Sequence, residues 1–309
     1  MVPEYIMVET IKTICPHCKS EEIVKRGFFL SEAHGKQQRY FCKSCGKKFI
    51  PQNAFYRMRN SPQKITCALD LFYNGVSTRK VQQHFKMFYP HNASYKSIYK
   101  WVVKYAKIMH QFTDKLKLNV GYEVQFDEVE YQRRISPRQK RGTQTNYFVD
   151  SIDTTTRFMV ASEYCRSRTS REIKAVIKKA KDKTGEQIKV CTTDGYNAYI
   201  EAVKKVFGYS LKQGKYKVEH NQVTQLKGEG FNHPIERLHN SLRARTKIFR
   251  GFHGSIESAN AILKGFEVYY NFIRVHQGIN KCPYELATDL KLNSENKWLE
   301  IIELANTNI

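Results

Sequence analysis

The chain has 309 residues and carries 52 lysines and arginines against 29 aspartates and glutamates, a formal charge of +23. Hydrophobic residues at 41% and aromatics at 13% exclude a disordered basic tail, and the length allows about two domains around a buried core. So large a positive excess repels itself and calls for a polyanionic partner; nucleic acid fits better than an anionic membrane, since no stretch approaches the roughly 18 uninterrupted apolar residues of a spanning helix.

The first ten residues carry Glu4 and Glu9 and no apolar run, so no signal peptide is expected and the protein is placed in the cytoplasm. Four of the eight cysteines form two Cys-x-x-Cys knuckles, Cys15 with Cys18 and Cys42 with Cys45. Two such knuckles can wrap four thiolates around one tetrahedral zinc ion, leaving no open position for water, so the metal is expected to be structural. Strand-like runs at residues 23–29 and 37–41 lie between them, which gives residues 1–60 the outline of a zinc ribbon. Cys67, Cys165, Cys191 and Cys282 are scattered singly and are expected as buried hydrophobes.

Residues 61–118 predict three helices. Pro62 suits a first turn, Ile65, Ala68, Leu69 and Phe72 recur at helical spacing, and Gly75 ends the segment. Ser77 or Thr78 caps a short second helix, and Ser94 caps a third carrying Ile98, Trp101, Val102, Tyr105 and Ile108. This is the pattern of a helix-turn-helix module, with Tyr95, Lys96 and Lys100 near the start of the third helix offered to DNA.

From residue 119 the texture changes to strands. Residues 123–130, 146–152 and 158–162 read as a meander, a helix follows at 168–181, and then come a strand ending at Asp194, a helix through Phe207 and a short strand at 216–219. The order is that of an α/β (α+β) ribonuclease-H-like fold, in which the first strand is central and the fourth lies beside it. Asp127 stands mid-strand among apolar residues, where a lone charge is costly unless a cation offsets it. Asp194 ends the fourth strand before Gly195. On a helix near 233–250, at about 100° per residue, Glu236, Asn240, Arg243, Lys247 and Arg250 share one stripe about 80° wide, opposite Ile235, Leu238, Leu242 and Phe249. Three acids heading a basic stripe fit a two-metal phosphoryl-transfer site. Glu128 is expected on the opposite strand face from Asp127, and Asp150 and Asp153 as residues of the hairpin and its turn. The basic run 133–141, with Arg138 and Lys140, is expected to contact DNA. His220, His233 and His239 read as phosphate contacts or packed side chains, and 256–276 as a helix packed on the core or a dimer contact.

Taken in order, the ribbon, the helical module, Phe126-Asp127-Glu128, Thr193-Asp194-Gly195, the Asn232 to Arg237 segment with Ile235 and Glu236, and Arg245-x-Lys247-x-x-Arg250-Gly251-Phe252 resemble a prokaryotic insertion-sequence DDE transposase with a retroviral-integrase-type core. The similarity is to the group that forms cointegrates by replicative transposition, including archaeal members. It continues through residues 269–277, with Val275 where such proteins usually carry proline. The resemblance implies Asp127, Asp194 and Glu236 as ligands of two magnesium (or manganese) ions, beside one structural zinc at Cys15, Cys18, Cys42 and Cys45. It implies DNA end cleavage and strand transfer on terminal inverted repeats and target DNA, with Arg237 among the DNA contacts, by a homodimer or larger assembly near the nucleoid. Glu229 would give the shorter spacing usual in the group, but it lies between Gly228 and Gly230, and Glu236 has the matching flanks. The expected layout is a ribbon at 1–60, a helix-turn-helix at 61–118, the catalytic core at 119–290 and a C-terminal tail at 291–309. The alternative is an inactive, domesticated DNA-binding regulator.

Overall fold

A computed structural model describes residues 13–89, 93–134, 142–223, 233–249, 252–253 and 255–307. At the N-terminus β1 (Ile23–Ser31) pairs antiparallel with β2 (Gly35–Cys42), and β2 with β3 (Lys48–Phe49). Among the described residues its buried hydrophobic cluster is small, Cys15, Cys42 and Phe49, and Val24, Phe28, Phe29 and Leu30 of β1 are exposed.

Three helices follow at the predicted places. α1 (Pro62–Tyr73), α2 (Thr78–Phe88) and α3 (Tyr95–Thr113) each begin with a serine cap, Ser61, Ser77 and Ser94, whose side chain accepts a backbone N–H of the first turn. Ile98, Trp101, Val102, Tyr105, Ala106 and Met109 form the buried stripe of α3.

The chain then runs through β4 (Glu123–Arg134), β5 (Thr143–Asp153), β6 (Met159–Cys165), α4 (Ser170–Thr184), β7 (Val190–Asp194), α5 (Asn197–Phe207), the separate small hairpin β8 (Tyr209–Ser210) and β9 (Lys215–Tyr216), and β10 (Glu219–Val223), of which β4 to β7 and β10 form the larger sheet. Its strand order is β10-β7-β4-β5-β6, with β4 antiparallel to β5 and parallel to β7. This is the ribonuclease-H-like arrangement, first strand central and fourth beside it. The predicted strand at 216–219 is displaced: Tyr216 closes the β8–β9 hairpin, and the sheet strand begins at Glu219. β10 reads Glu-His-Asn-Gln-Val, without an apolar alternation to reveal it, and its order comes from backbone pairing with β7.

α6 (His233–Thr246) and β11 (Phe252–His253), which pairs with β4, lead to α7 (Ile256–Val268), a π-helical turn at Tyr269–Ile273, α8 (Tyr284–Ala287) and α9 (Lys297–Thr307). The last segment is therefore more than a tail: Trp298, Ile301, Ile302 and Ala305 of α9 are buried, and the Trp298 ring stacks on Tyr73 of α1 at 5.5 Å. A single hydrophobic cluster runs from Ala54 through the sheet to Ile302, so helices α1 to α3 and the sheet share one core. Arg245 of α6 lays its guanidinium 4.0 Å from the Phe72 ring centroid, joining α6 to α1.

α7 lies against α3, and Gly265 makes the approach possible. A Cβ there would stand 1.9 Å from the Tyr73 hydroxyl and 2.7 Å from the Ala106 Cβ. Gly265→Ala is accordingly expected to destabilise the protein by about 1–3 kcal/mol through overpacking, read as a lowered midpoint in urea unfolding. Beside it Glu267, wholly buried, accepts from the Ser162 hydroxyl at 2.7 Å and pairs with Lys264 at 3.4 Å. Burial opposes its charge, but Lys264, His110, Lys183 and Lys179 hold its carboxyl well below the ordinary range.

Candidate active site and metal centres

β4 and β7 run parallel with Gln125 level with Thr192, so two residues further along Asp127 arrives beside Asp194 at the end of β7. Gly195 then breaks the strand, and the Asp194 carboxylate accepts the Tyr196 N–H at 2.9 Å, turning the chain into α5. The carboxylate oxygens of Asp127, Glu128 and Asp194 all lie within 4.8 Å of one another. Asp127 and Asp194 thus meet as the sequence leads one to expect.

Glu128 is the correction. Strand alternation does turn it to the α5 side, where it accepts the Tyr199 hydroxyl at 2.7 Å and pairs with Arg168 at 2.6 Å. It nevertheless joins the acidic cluster, because β7 stops at Asp194 and Glu128 stands level with Gly195, which has no side chain to separate the two faces.

Burial pushes the Asp127 carboxyl up to about 6; His239 and the Glu128 N–H favour its charge, while Asp150 and Glu128 oppose it. Asp194 is also raised, first by burial. Asp127 and Asp194, hard oxygen donors whose charged forms are disfavoured mainly by burial, suit a hard divalent cation, which would offset that cost. A second group within 4.8 Å, His110, Asp114 and Glu267, already has its cations: Lys179 is 2.8 Å and Lys183 3.2 Å from Asp114, and Lys264 faces Glu267.

Glu236 lies in the first turn of α6 with its side chain 62% exposed, 3.7 Å from His233, and is outside the three-acid cluster. One turn further on, at i+3, His239 reaches Asp127 at 3.5 Å, which places Glu236 on the helix that covers the acids. Asn240 and Arg243 of the predicted stripe are exposed along α6, as is Arg237 beside them, while Ile235, Leu238 and Leu242 are buried; the α-helix ends at Thr246, and Lys247 is exposed in the 3-10 turn that follows. Arg250, Arg138 and Lys140, like Glu229, lie outside the described residues.

In the helical module Lys96 and Lys100 are exposed and Tyr95 is half-buried beneath Arg79, whose guanidinium is 4.3 Å from the ring centroid. Arg79, from α2, was not marked by the sequence pattern. Nor was the pairing of His239 with Asp150: the imidazole Nε2 donates to the wholly buried Asp150 carboxylate at 2.8 Å. Asp150 lies within β5 of the hairpin and Asp153 at its turn, as expected, Asp153 accepting from the Thr156 N–H and hydroxyl at 2.7 and 2.6 Å. His220 of β10 hydrogen-bonds Thr193 at 2.9 Å, beside Asp194.

At the N-terminus the four knuckle sulfurs converge, Cys15 on Cys45 at 3.6 Å and Cys18 on Cys42 at 3.5 Å. Tetrahedral zinc with bonds of about 2.3 Å sets its sulfurs about 3.8 Å apart, so the cluster is of the right size for that ion.

Residues 139–276 match the model of a DDE domain of the insertion-sequence transposase type. The matched span contains Asp194 and Glu236 and begins beyond Asp127. No curated protein matches the chain. Among the described residues no helix is long and apolar enough to cross a membrane. With residues 139–276 matching a DDE domain, and a four-cysteine cluster that fits a zinc ribbon ahead of it, the chain is similar to the insertion-sequence DDE transposases.

Proposed function

We propose that this transposase cuts the ends of its element and joins the freed 3′-hydroxyl to target DNA in a reaction dependent on magnesium or manganese, at a site formed by Asp127, Asp194 and Glu236. The observation that carries this reading is the meeting of Asp127 and Asp194 at the ends of adjacent parallel strands, under the helix that bears Glu236. When bound, two divalent ions supply charge neutralisation and in-line orientation of the attacking and leaving oxygens.

The chain's own groups do the rest. Asp127 and Asp194 would hold the cations from the sheet, with Glu236 of α6 as the third ligand. Arg237, Asn240 and Arg243, exposed on α6, and Lys247 just after it take the phosphates that flank the scissile bond, with Arg250, Arg138 and Lys140 as further DNA contacts by their sequence. Tyr95, Lys96 and Lys100 of α3 dock the terminal repeats, and the ribbon at 1–60, holding one zinc ion, adds a second module. Residues 61–118 and 119–290 are the docking and catalytic units, and cutting two ends calls for a homodimer or a larger assembly.

The test is magnesium-dependent cleavage of DNA carrying the ends that flank the gene. Nicked ends and joined products are expected, with binding weakened by salt as phosphate contacts dictate. Binding without cutting or joining under any metal condition would establish the regulator instead. The same assay has a pH arm. Protons compete with metal for Asp127, whose carboxyl is raised to about 6, so the magnesium concentration needed for half-maximal cleavage should climb about tenfold per unit as pH falls below that value and level off above it.

A further inference from the structure

We infer that His239 is a positioning residue for the metal-binding acids, held in place by the buried Asp150; the inference rests on the metal-site reading above. Asp127 on β4 and Asp150 on β5 are cross-strand partners in the antiparallel ladder. Asp150 is fully buried, and a carboxylate in such a place costs several kcal/mol unless it is paired. Its partner is His239, 2% exposed, whose Nε2 lies 2.8 Å from Asp150 Oδ1 while Nδ1 lies 3.5 Å from Asp127 Oδ2.

One imidazole therefore bridges carboxylates from two strands and does so from the helix that carries Glu236. Packing does not ask for this: Ile235, Leu238 and Leu242 already give α6 its apolar face. What a histidine adds is direction. Asp150 fixes the ring through one nitrogen, and the other nitrogen meets the Asp127 oxygen, so Asp127 on the sheet is tied to the helix that carries Glu236. Outer contacts of this kind orient metal-binding carboxylates, and their loss typically weakens metal affinity 10- to 100-fold.

The test uses the full chain and manganese alone, titrated calorimetrically, with a thermal melt of each variant. His239→Gln can place an amide nitrogen near the Nε2 position and so keep a donor for Asp150, but it has nothing at Nδ1. It is expected to melt within a few degrees of wild type and to bind manganese about 10- to 100-fold more weakly. Asp150→Asn, which does not touch Asp127's oxygens, should weaken manganese binding in the same direction, and the double variant should lose less than the product of the two single losses. Should His239→Gln fail to fold, Asp150→Asn decides alone. Wild-type manganese affinity in the folded variants would overturn the inference and leave His239 as a packing residue. Asp127→Asn separates the two levels: if it abolishes binding while His239→Gln and Asp150→Asn do not, only the positioning role falls, and if it also binds as wild type, the metal site falls with it.

Discussion

Asp127→Asn, Asp194→Asn and Glu236→Gln are each expected to lower DNA end cleavage by about a thousandfold or more while the proteins stay folded and bind DNA. Each substitution removes one negative charge and one hard oxygen donor with little change of shape. A cation stabilises the charge of a phosphoryl-transfer transition state by several kcal/mol, and each 1.4 kcal/mol is a factor of ten in rate. The three should differ in what else they do. Asp127 is largely buried and raised to about 6, so the neutral amide relieves a desolvated charge and Asp127→Asn should unfold at an equal or higher temperature than wild type. Glu236 is 62% exposed, and its replacement should leave the melting temperature unchanged. Gel-based cleavage and a thermal melt on the same preparations read both effects. Undiminished cleavage in Asp194→Asn and Glu236→Gln would remove the site assignment. Glu128 makes an internal comparison. Its carboxylate is committed to Tyr199 and Arg168, so Glu128→Gln should cost activity through the loss of that anchor and lower the melting temperature too.

Stripping zinc from the N-terminal cluster is expected to unfold β1 to β3 and leave the rest of the chain folded. Among its described residues the ribbon has a small core of its own: three buried hydrophobic residues, two of them the cysteines Cys15 and Cys42. The helices and the larger sheet share a separate cluster from Ala54 to Ile302. Structural zinc contributes about 10–16 kcal/mol of apparent binding energy in small fingers, far more than three buried side chains can replace. Cys42→Ser should therefore lose its single zinc and show fast amide exchange through residues 23–49, while the protection of β4 and α7 is unchanged. A zinc-to-protein ratio near zero in protein whose ribbon is protected would refute the four-cysteine site. Loss of the ribbon should also weaken DNA binding, since residues 1–118 hold more than half of the positive excess.

Much of this could be read along the chain because its signals are local. Two Cys-x-x-Cys knuckles, three serine-capped helices and the apolar alternation of β4 to β6 are patterns a few residues long, and Asp127 and Asp194 each end or interrupt such a pattern. The strand order followed from connectivity. What escaped depends on partners far apart in sequence. Asp150 and His239 are separated by 89 residues, and neither is unusual in its own segment. Only the meeting of β5 with α6 gives the pair a purpose. The face of Glu128 follows from alternation, but alternation does not say that the neighbouring strand ends at Asp194, which lets the Glu128 carboxylate lie near the other two acids. β10 carries no apolar alternation, so its order is set by the edge of β7, and α9 was obscured by the polar stretch before Trp298. Glu236 was recognised from its flanks and its helical stripe, signals of the helix surface rather than of the cluster beneath.

Anomalous diffraction from crystals of the protein with manganese and DNA carrying the element ends tests the three-acid site most directly. Manganese is expected between Asp127 and Asp194, within about 2.2 Å of their oxygens, with Glu236 turned in from α6 to complete the coordination. Manganese bound elsewhere, such as at His110, Asp114 and Glu267, with none touching Asp127 or Asp194, would contradict it.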